Sequence, residues 1–90
     1  MAVIREEFIF HGRVQGVGFR YKVKYLAPAL ELTGWARNEY DGTVTMQVQG
    51  TAEHIRELVE ELEDDRFIHI DWVEEHEIAT ESGERKFRVM

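Results

Sequence analysis

Cysteine is absent from this chain, proline occurs once, and positive charge is outnumbered by negative. Without cysteine there are no disulfides and no thiolate metal sites, so packing alone must hold the fold. That usage fits a reducing compartment. No stretch approaches the ~20 apolar residues needed to cross a bilayer, which argues against a membrane partner. Met1 to Glu7 has no apolar core before its first charges. It does not read as a secretory signal, and the expected location is cytoplasmic. The formal net charge of −7 argues against a broad grip on nucleic acid, whose affinity comes largely from neutralised phosphates.

The chain has 90 residues, enough for one domain spanning 1–90. A domain of this size buries a little over ~60% of its unfolded surface, so its core is modest. Trp35, Trp72 and the phenylalanines are the large apolar pieces and read as core. Charge is unevenly spread. Residues 11–37 hold Arg13, Arg20, Lys22, Lys24 and Arg37 against Glu31, whereas residues 53–84 are strongly acidic. A local basic region on an acidic chain points to a small-anion site.

Alternation of Ile4, Phe8 and Phe10 with their neighbours predicts a strand over 3–11. A helix is expected over 19–32, from Val23, Leu26, Ala27 and Leu30 at helical spacing. Pro28 should kink or divide it at Ala27. Thr33 to Asn38 reads as a second strand and Asp41-Gly42 as a hairpin turn. Thr43 to Gln49 reads as a third strand. Thr51 is a good N-cap for an amphipathic helix over 52–63. Ile68, Ile70 and Trp72 predict a fourth strand, and Lys86 to Val89 a short last one.

This order predicts an α+β fold, the ferredoxin-like βαββαβ sandwich: an antiparallel sheet, two helices on one face and a short C-terminal strand. Right-handed crossovers make the first two strands parallel, with the third between them. The loop after the first strand and the end of the second, at Asn38, should then face each other.

The stretch HGRVQGVGFR, His11 to Arg20, places three glycines ahead of an arginine. Glycine lets successive N–H groups turn inward into a nest that binds an anion. The segment Gln15 to Arg20 also runs into a helix N-terminus, with its free donors and partial positive charge. An arginine fork matches phosphate oxygens. The stretch therefore reads as a phosphate cradle or, equally on spacing, as a tight strand-to-helix turn with an exposed arginine. Arginine is electrostatically unfavourable at a helix start, which favours the cradle. The spacing is neither a Walker motif nor a dinucleotide fingerprint. Asn38 offers a neutral amide that can hold a water without titrating; alone it reads better as a strand terminator, and the functional reading gains opposite an anion cradle.

GRVQGVGFR, Gly12 to Arg20, together with GWARNEYDGTVTMQVQG, Gly34 to Gly50, closely resembles the two signature segments of acylphosphatases. The resemblance implies a ferredoxin-like hydrolase that splits acyl phosphates into a carboxylate and inorganic phosphate, without metal or other cofactor. Arg20 falls on the family's substrate-binding arginine and Asn38 on its water-positioning asparagine. Gln15, Gly16, Val17, Gly18 and Phe19 fall on its phosphate loop, which would also take a phosphate or sulfate ion. Phe10 stands where an aliphatic residue is usual, and Pro28 is unusual in the first helix. The expected partner is a small-molecule acyl phosphate, and the expected assembly a monomer.

The remaining polar residues compete poorly. His11, His54, His69 and His76 do not form a metal set, although His11 borders the loop and could tune it. Arg37 points away from Asn38 along its strand, Arg13 adds positive field or is simply exposed, and the carboxylates of residues 60–65 read as a solvated helix end. One rival is a non-catalytic anion-binding module of the same fold, alone or as a domain of a larger carbamoyl-transfer protein. Another, an RNA-binding domain of the same strand order, would need aromatics on the middle strand, which carries none.

Overall fold

The computed structural model describes residues 2–90. The elements run β1 (Val3–Arg13), α1 (Phe19–Ala29), β2 (Thr33–Asn38), β3 (Val44–Thr51), α2 (Ala52–Glu63), β4 (His69–Ile78) and β5 (Phe87–Val89). They form one five-stranded sheet in the order β4-β1-β3-β2-β5. β3 lies between β1 and β2 and is antiparallel to both, and β4 is antiparallel to β1. This is the expected ferredoxin-like α+β arrangement. β5 adds parallel to β2, Gly34 opposite Phe87, so the outermost pair makes the sheet mixed.

The core is the helix-facing side of the sheet. Phe8 and Phe10 of β1 and Val44, Met46 and Val48 of β3 meet Phe19, Val23 and Ala27 of α1 and Ile55, Leu58 and Leu62 of α2, all buried. Phe10 and Phe19 pack with ring centroids 5.0 Å apart, which fixes the start of α1 to the sheet. Burial of each such ring contributes roughly 2–3 kcal/mol.

α1 does not divide at Ala27. It continues through Pro28 to Ala29 and stops sooner than the expected residue 32. Pro28 occupies the last turn, where its missing N–H costs a single helical bond. The stop is a Schellman arrangement: Leu32 N–H donates to Ala27 O (2.9 Å) and Glu31 N–H to Pro28 O (3.0 Å). Glu31 takes φ 58 there, a left-handed conformation usually given to glycine.

β1 runs on to Arg13 because β4 bulges beside it. His11 pairs with Trp72 but Gly12 with Ile70, leaving Asp71 unpaired. A Cβ on Gly12 would collide with the main chain of His69. The extra residue reverses the alternation of β4. Ile68 is buried on the helix side, whereas Trp72 emerges on the open face, 55% exposed and stacked on His11 at 3.8 Å. Trp72 is therefore not a core residue, contrary to the alternation read along the strand. Trp35 is also outside the core, half-buried under the Arg37 guanidinium at 5.0 Å.

The segment 79–86 connects β4 to β5 across the open face. Arg5, almost wholly buried, donates to Glu84 (2.8 Å), Gln47 (3.1 Å) and Gln49 (3.3 Å). Burial alone would raise the Glu84 pKa, but the hydrogen bonds from Arg5 and Thr33 and the Arg5 charge outweigh it and hold it below its usual range.

Candidate functional site

The glycine loop leaves β1 at Arg13 and enters α1 at Phe19. Val14 and Phe19 are buried at its two ends, so the loop is anchored by apolar side chains and exposes Gly16 and Gly18 between them. Those two glycines have φ 72 and φ 88, and a Cβ at either would meet nothing within 4 Å. The requirement there is conformational: a left-handed backbone that turns amides about, without a clash to avoid. Gly18 is also the N-cap of α1, and no side chain caps that helix. Its first turn carries no acid, and its second residue is Arg20. The first-turn amides thus point out of the helix beside a cation, an arrangement suited to an anionic oxygen.

The other half of the site is the hairpin between β2 and β3. Asp41 Oδ1 accepts from Thr43 N (3.0 Å) and Thr43 Oγ1 (2.6 Å), and these bonds hold the Asp41 carboxyl below its ordinary pKa. Asn38 ends β2 opposite Val44 and is half-buried. Strand alternation puts it on the face of buried Ala36, whereas Arg37 lies on the open face. Arg37 donates to Glu39 (3.0 Å), and Thr45 Oγ1 does so too (2.6 Å). First the Thr45 hydroxyl and then Arg37 hold the Glu39 carboxyl below its usual range, which makes it a poor proton acceptor.

Gln15 joins the halves. Its Nε2 donates to Glu39 O (2.7 Å) and Thr43 O (2.9 Å), the two carbonyls that bracket the hairpin turn. The topology expected this loop and Asn38 to approach each other, and these bonds bring the loop to the residue after Asn38. The sequence reading counted Gln15 only as a main-chain donor. Its side-chain clamp was missed, although a long amide between two segments already placed together was the available signal.

Arg20 is half-buried, and its Nη1 donates to Met90 O at 2.6 Å. Met90 N–H in turn donates to Ala36 O (2.9 Å), so residue 90 bridges β2 and the guanidinium. His11 turns away from the loop. Its Nε2 lies 2.8 Å from Glu74 Oε2, on the open face beside Trp72. Arg13 is exposed at the end of β1.

Comparison with known proteins follows the same pattern. The sequence model described as Acylphosphatase matches residues 6–89. An acylphosphatase of Clostridium perfringens is 41% identical over 86 residues, covering 94% of this chain and 97% of its own length. The crystal structure of the acylphosphatase from Bacillus subtilis superposes with a TM-score of 0.88 at 31% identity, over 97% of this chain and 98% of that one. HypF from T. kodakarensis contains a similar segment: TM-score 0.83 and 29% identity over 97% of this chain, but 12% of that chain.

Proposed function

This chain belongs to the acylphosphatase family of hydrolases, which act on small-molecule acyl phosphates, and from that premise we propose how its residues divide the work. The main-chain N–H groups of Gln15, Gly16, Val17, Gly18 and Phe19 and the Arg20 guanidinium hold the phosphoryl oxygens. Asn38 orients the attacking water in line with the leaving carboxylate. The water oxygen bonds to phosphorus, the bond from phosphorus to the acyl oxygen breaks, and the carboxylate leaves with its electron pair. The water's proton passes to a phosphate oxygen.

The observation that carries this reading is the Gln15 clamp, which seats an uncapped helix start and its glycine loop against the strand end bearing Asn38. No side-chain base is required. A carboxylate is a good leaving group, and a loose phosphoryl transition state is served by positioning and charge stabilisation. Bringing Arg20 onto a phosphate means sharing or releasing its bond to Met90 O, a modest cost for an exposed contact.

The same reading takes residues 1–90 as one domain, a cytoplasmic monomer that works without metal or cofactor, with inorganic phosphate or sulfate as the loop's simplest ligand. A phosphate-release assay on acetyl phosphate with excess chelator, run on the wild type and Asn38→Ala, tests it. Undiminished turnover by the wild type and a fall mainly in kcat for the variant are expected. Activity abolished by the chelator overturns the metal-free mechanism. The similarity to a segment of HypF keeps a second reading in play, an anion-binding module; phosphate binding with no turnover would favour it.

A further inference from the structure

The chain carries 18 acidic residues against 11 lysines and arginines, so its cations have carboxylates to choose from. Arg5, Lys22 and Arg37 each pair with one. Arg85, Lys86 and Arg88 do not. All three are exposed, and none forms an ion pair among the described residues. Together with Gly83 and Glu84 they line one cleft of about 270 Å³. We propose that this cleft, at the free edge of β5, is a second anion site and that it takes an oligophosphate chain.

The three charges are arranged for such a ligand. The ladder between β2 and β5 runs one residue before Phe87, with Lys86 O accepting from Gly34 N (3.1 Å). Lys86 and Arg88 therefore share a face, about 7 Å apart along the strand at ~3.3 Å per residue. Arg85 reaches the same cleft from the segment that leads into β5. Like charges this close repel, and an anion between them removes the cost. Two guanidinium forks and an ammonium spread over that length suit several linked phosphates better than one. The single carboxylate in the lining is already neutralised: Arg5 donates to both oxygens of Glu84, Nη1 at 2.8 Å and Nη2 at 3.3 Å. Glu31 lies across the neighbouring hollow that Arg85 and Lys86 also line, without an ion pair to either.

This cleft is separate from the glycine loop. β5 runs parallel to β2 with Phe87 beside Gly34, at the far end of β2 from Asn38. Four residues, about 13 Å of strand, separate Gly34 from Asn38. Arg85 and Lys86 precede Phe87 and lie farther still. Charged side chains also guard a free sheet edge against pairing with another chain. That role requires no shared cleft, and it predicts no bound anion.

Isothermal titration calorimetry with inorganic tripolyphosphate in excess chelator tests the proposal. Arg20→Ala is the background, because it removes the charged donor of the loop. Tripolyphosphate should still bind to it. Adding Arg85→Gln/Lys86→Gln/Arg88→Gln should weaken that binding at least about tenfold. Adding Lys24→Gln/Arg56→Gln/Arg66→Gln instead removes as much charge from exposed residues elsewhere, and should weaken it less than about threefold. Far-UV circular dichroism checks the fold of each variant. Adenosine triphosphate, the same chain on a nucleoside, should bind too and be lost with the same cleft substitutions. With Arg20 in place, the cleft substitutions should leave kcat/KM for acetyl phosphate within about twofold, because the cleft lies beyond a Debye length of ~8–10 Å from Asn38. Absence of binding to Arg20→Ala, or equal weakening by the two triple substitutions, overturns the site and leaves the cations as guards of the edge. A nucleotide that binds where the bare chain does not overturns the oligophosphate assignment. Failure of the loop mechanism would show separately, as folded wild-type protein that does not turn over acetyl phosphate.

Discussion

The two helices begin in opposite ways. α2 is closed by its own sequence: Thr51 Oγ1 accepts from His54 N (3.3 Å), and Glu53 places a negative charge in the first turn. α1 is left open, with Gly18 in a left-handed conformation, no side-chain cap, no acid in the first turn and a cation at Arg20. Both starts face the same problem of unpaired N–H groups and partial positive charge. α2 solves it locally, as a structural helix does. α1 combines features that each cost stability in a free helix, and they make sense together when the missing acceptor is a phosphoryl group.

The largest effect that distinguishes the two ends is expected at Arg20. Arg20→Ala removes the charged donor and should lower kcat/KM at least about a thousandfold, ~3–4 kcal/mol in the transition state. Its melting temperature should stay close to the wild type, because the bond to Met90 O is an exposed one. Arg20→Lys should fail nearly as badly, since a point charge lacks the planar fork. A lysine variant with full turnover would show that charge alone is sufficient and remove the bidentate role.

Gln15→Ala comes next, because it separates the α1 start from the hairpin. The variant loses two hydrogen bonds, but Glu39 O keeps its bond from Gly42 N and Thr43 O its bond from Glu39 N. Stability should therefore fall by about 1–2 kcal/mol. Activity should fall further, between roughly tenfold and a hundredfold in kcat/KM, because the loop loses its registry with Asn38. A variant that melts lower yet turns over at the wild-type rate would reduce the clamp to a folding contact.

Thr51→Ala makes the reciprocal test on α2. Loss of this cap should cost about 1 kcal/mol and lower the melting temperature by ~4–8 °C, with kcat and KM unchanged. Any loss of activity beyond the unfolded fraction would mean that the two helix starts are coupled, and the contrast drawn between them would no longer hold.

Much of this contrast could be read before any coordinates. α2 starts and stops where its N-cap threonine and apolar stripe place it, and β2 occupies the expected Thr33–Asn38. Those signals are local, carried by residue type and spacing. What escaped depends on partners distant in sequence. The bulge at Asp71 arises where β4 meets Gly12, and only that pairing reveals why Trp72 faces solvent. Arg5 alternates like a surface residue and is buried because the 79–86 segment lies over it. α1 ends at Ala29 by placing a glutamate in a glycine conformation, a choice no propensity favours. In the site, the glycines and Arg20 are legible one by one. The Gln15 clamp is legible only once the fold has brought the hairpin alongside.

The smallest expected effect concerns pH and belongs to the α2 end alone. Glu6 points from β1 into a cleft of about 380 Å³ that is also lined by Ala52, Ile55 and Arg56 of α2. Burial, then the hydrogen bond with Glu75, then the negative charges of Glu75 and Glu77 raise its pKa from 4.5 to about 7. A carboxyl with a raised folded-state pKa binds its proton more tightly folded than unfolded. The contribution of Glu6 to stability is therefore greatest below about 4.5, falls as pH rises toward about 7, and is level above that. After solvent screening of this partly exposed group, the fall attributable to it is about 1 kcal/mol. Glu6→Gln cannot ionise, so urea unfolding should find it close to the wild type at acid pH and about 1 kcal/mol more stable at pH ~8. The α1 end has no such carboxyl in its first turn, so turnover at saturating substrate should be the same in Glu6→Gln and the wild type across that range. A pH–stability curve unchanged by the substitution would place the proton elsewhere, and a shifted pH–rate curve would tie the α2 cleft to the loop.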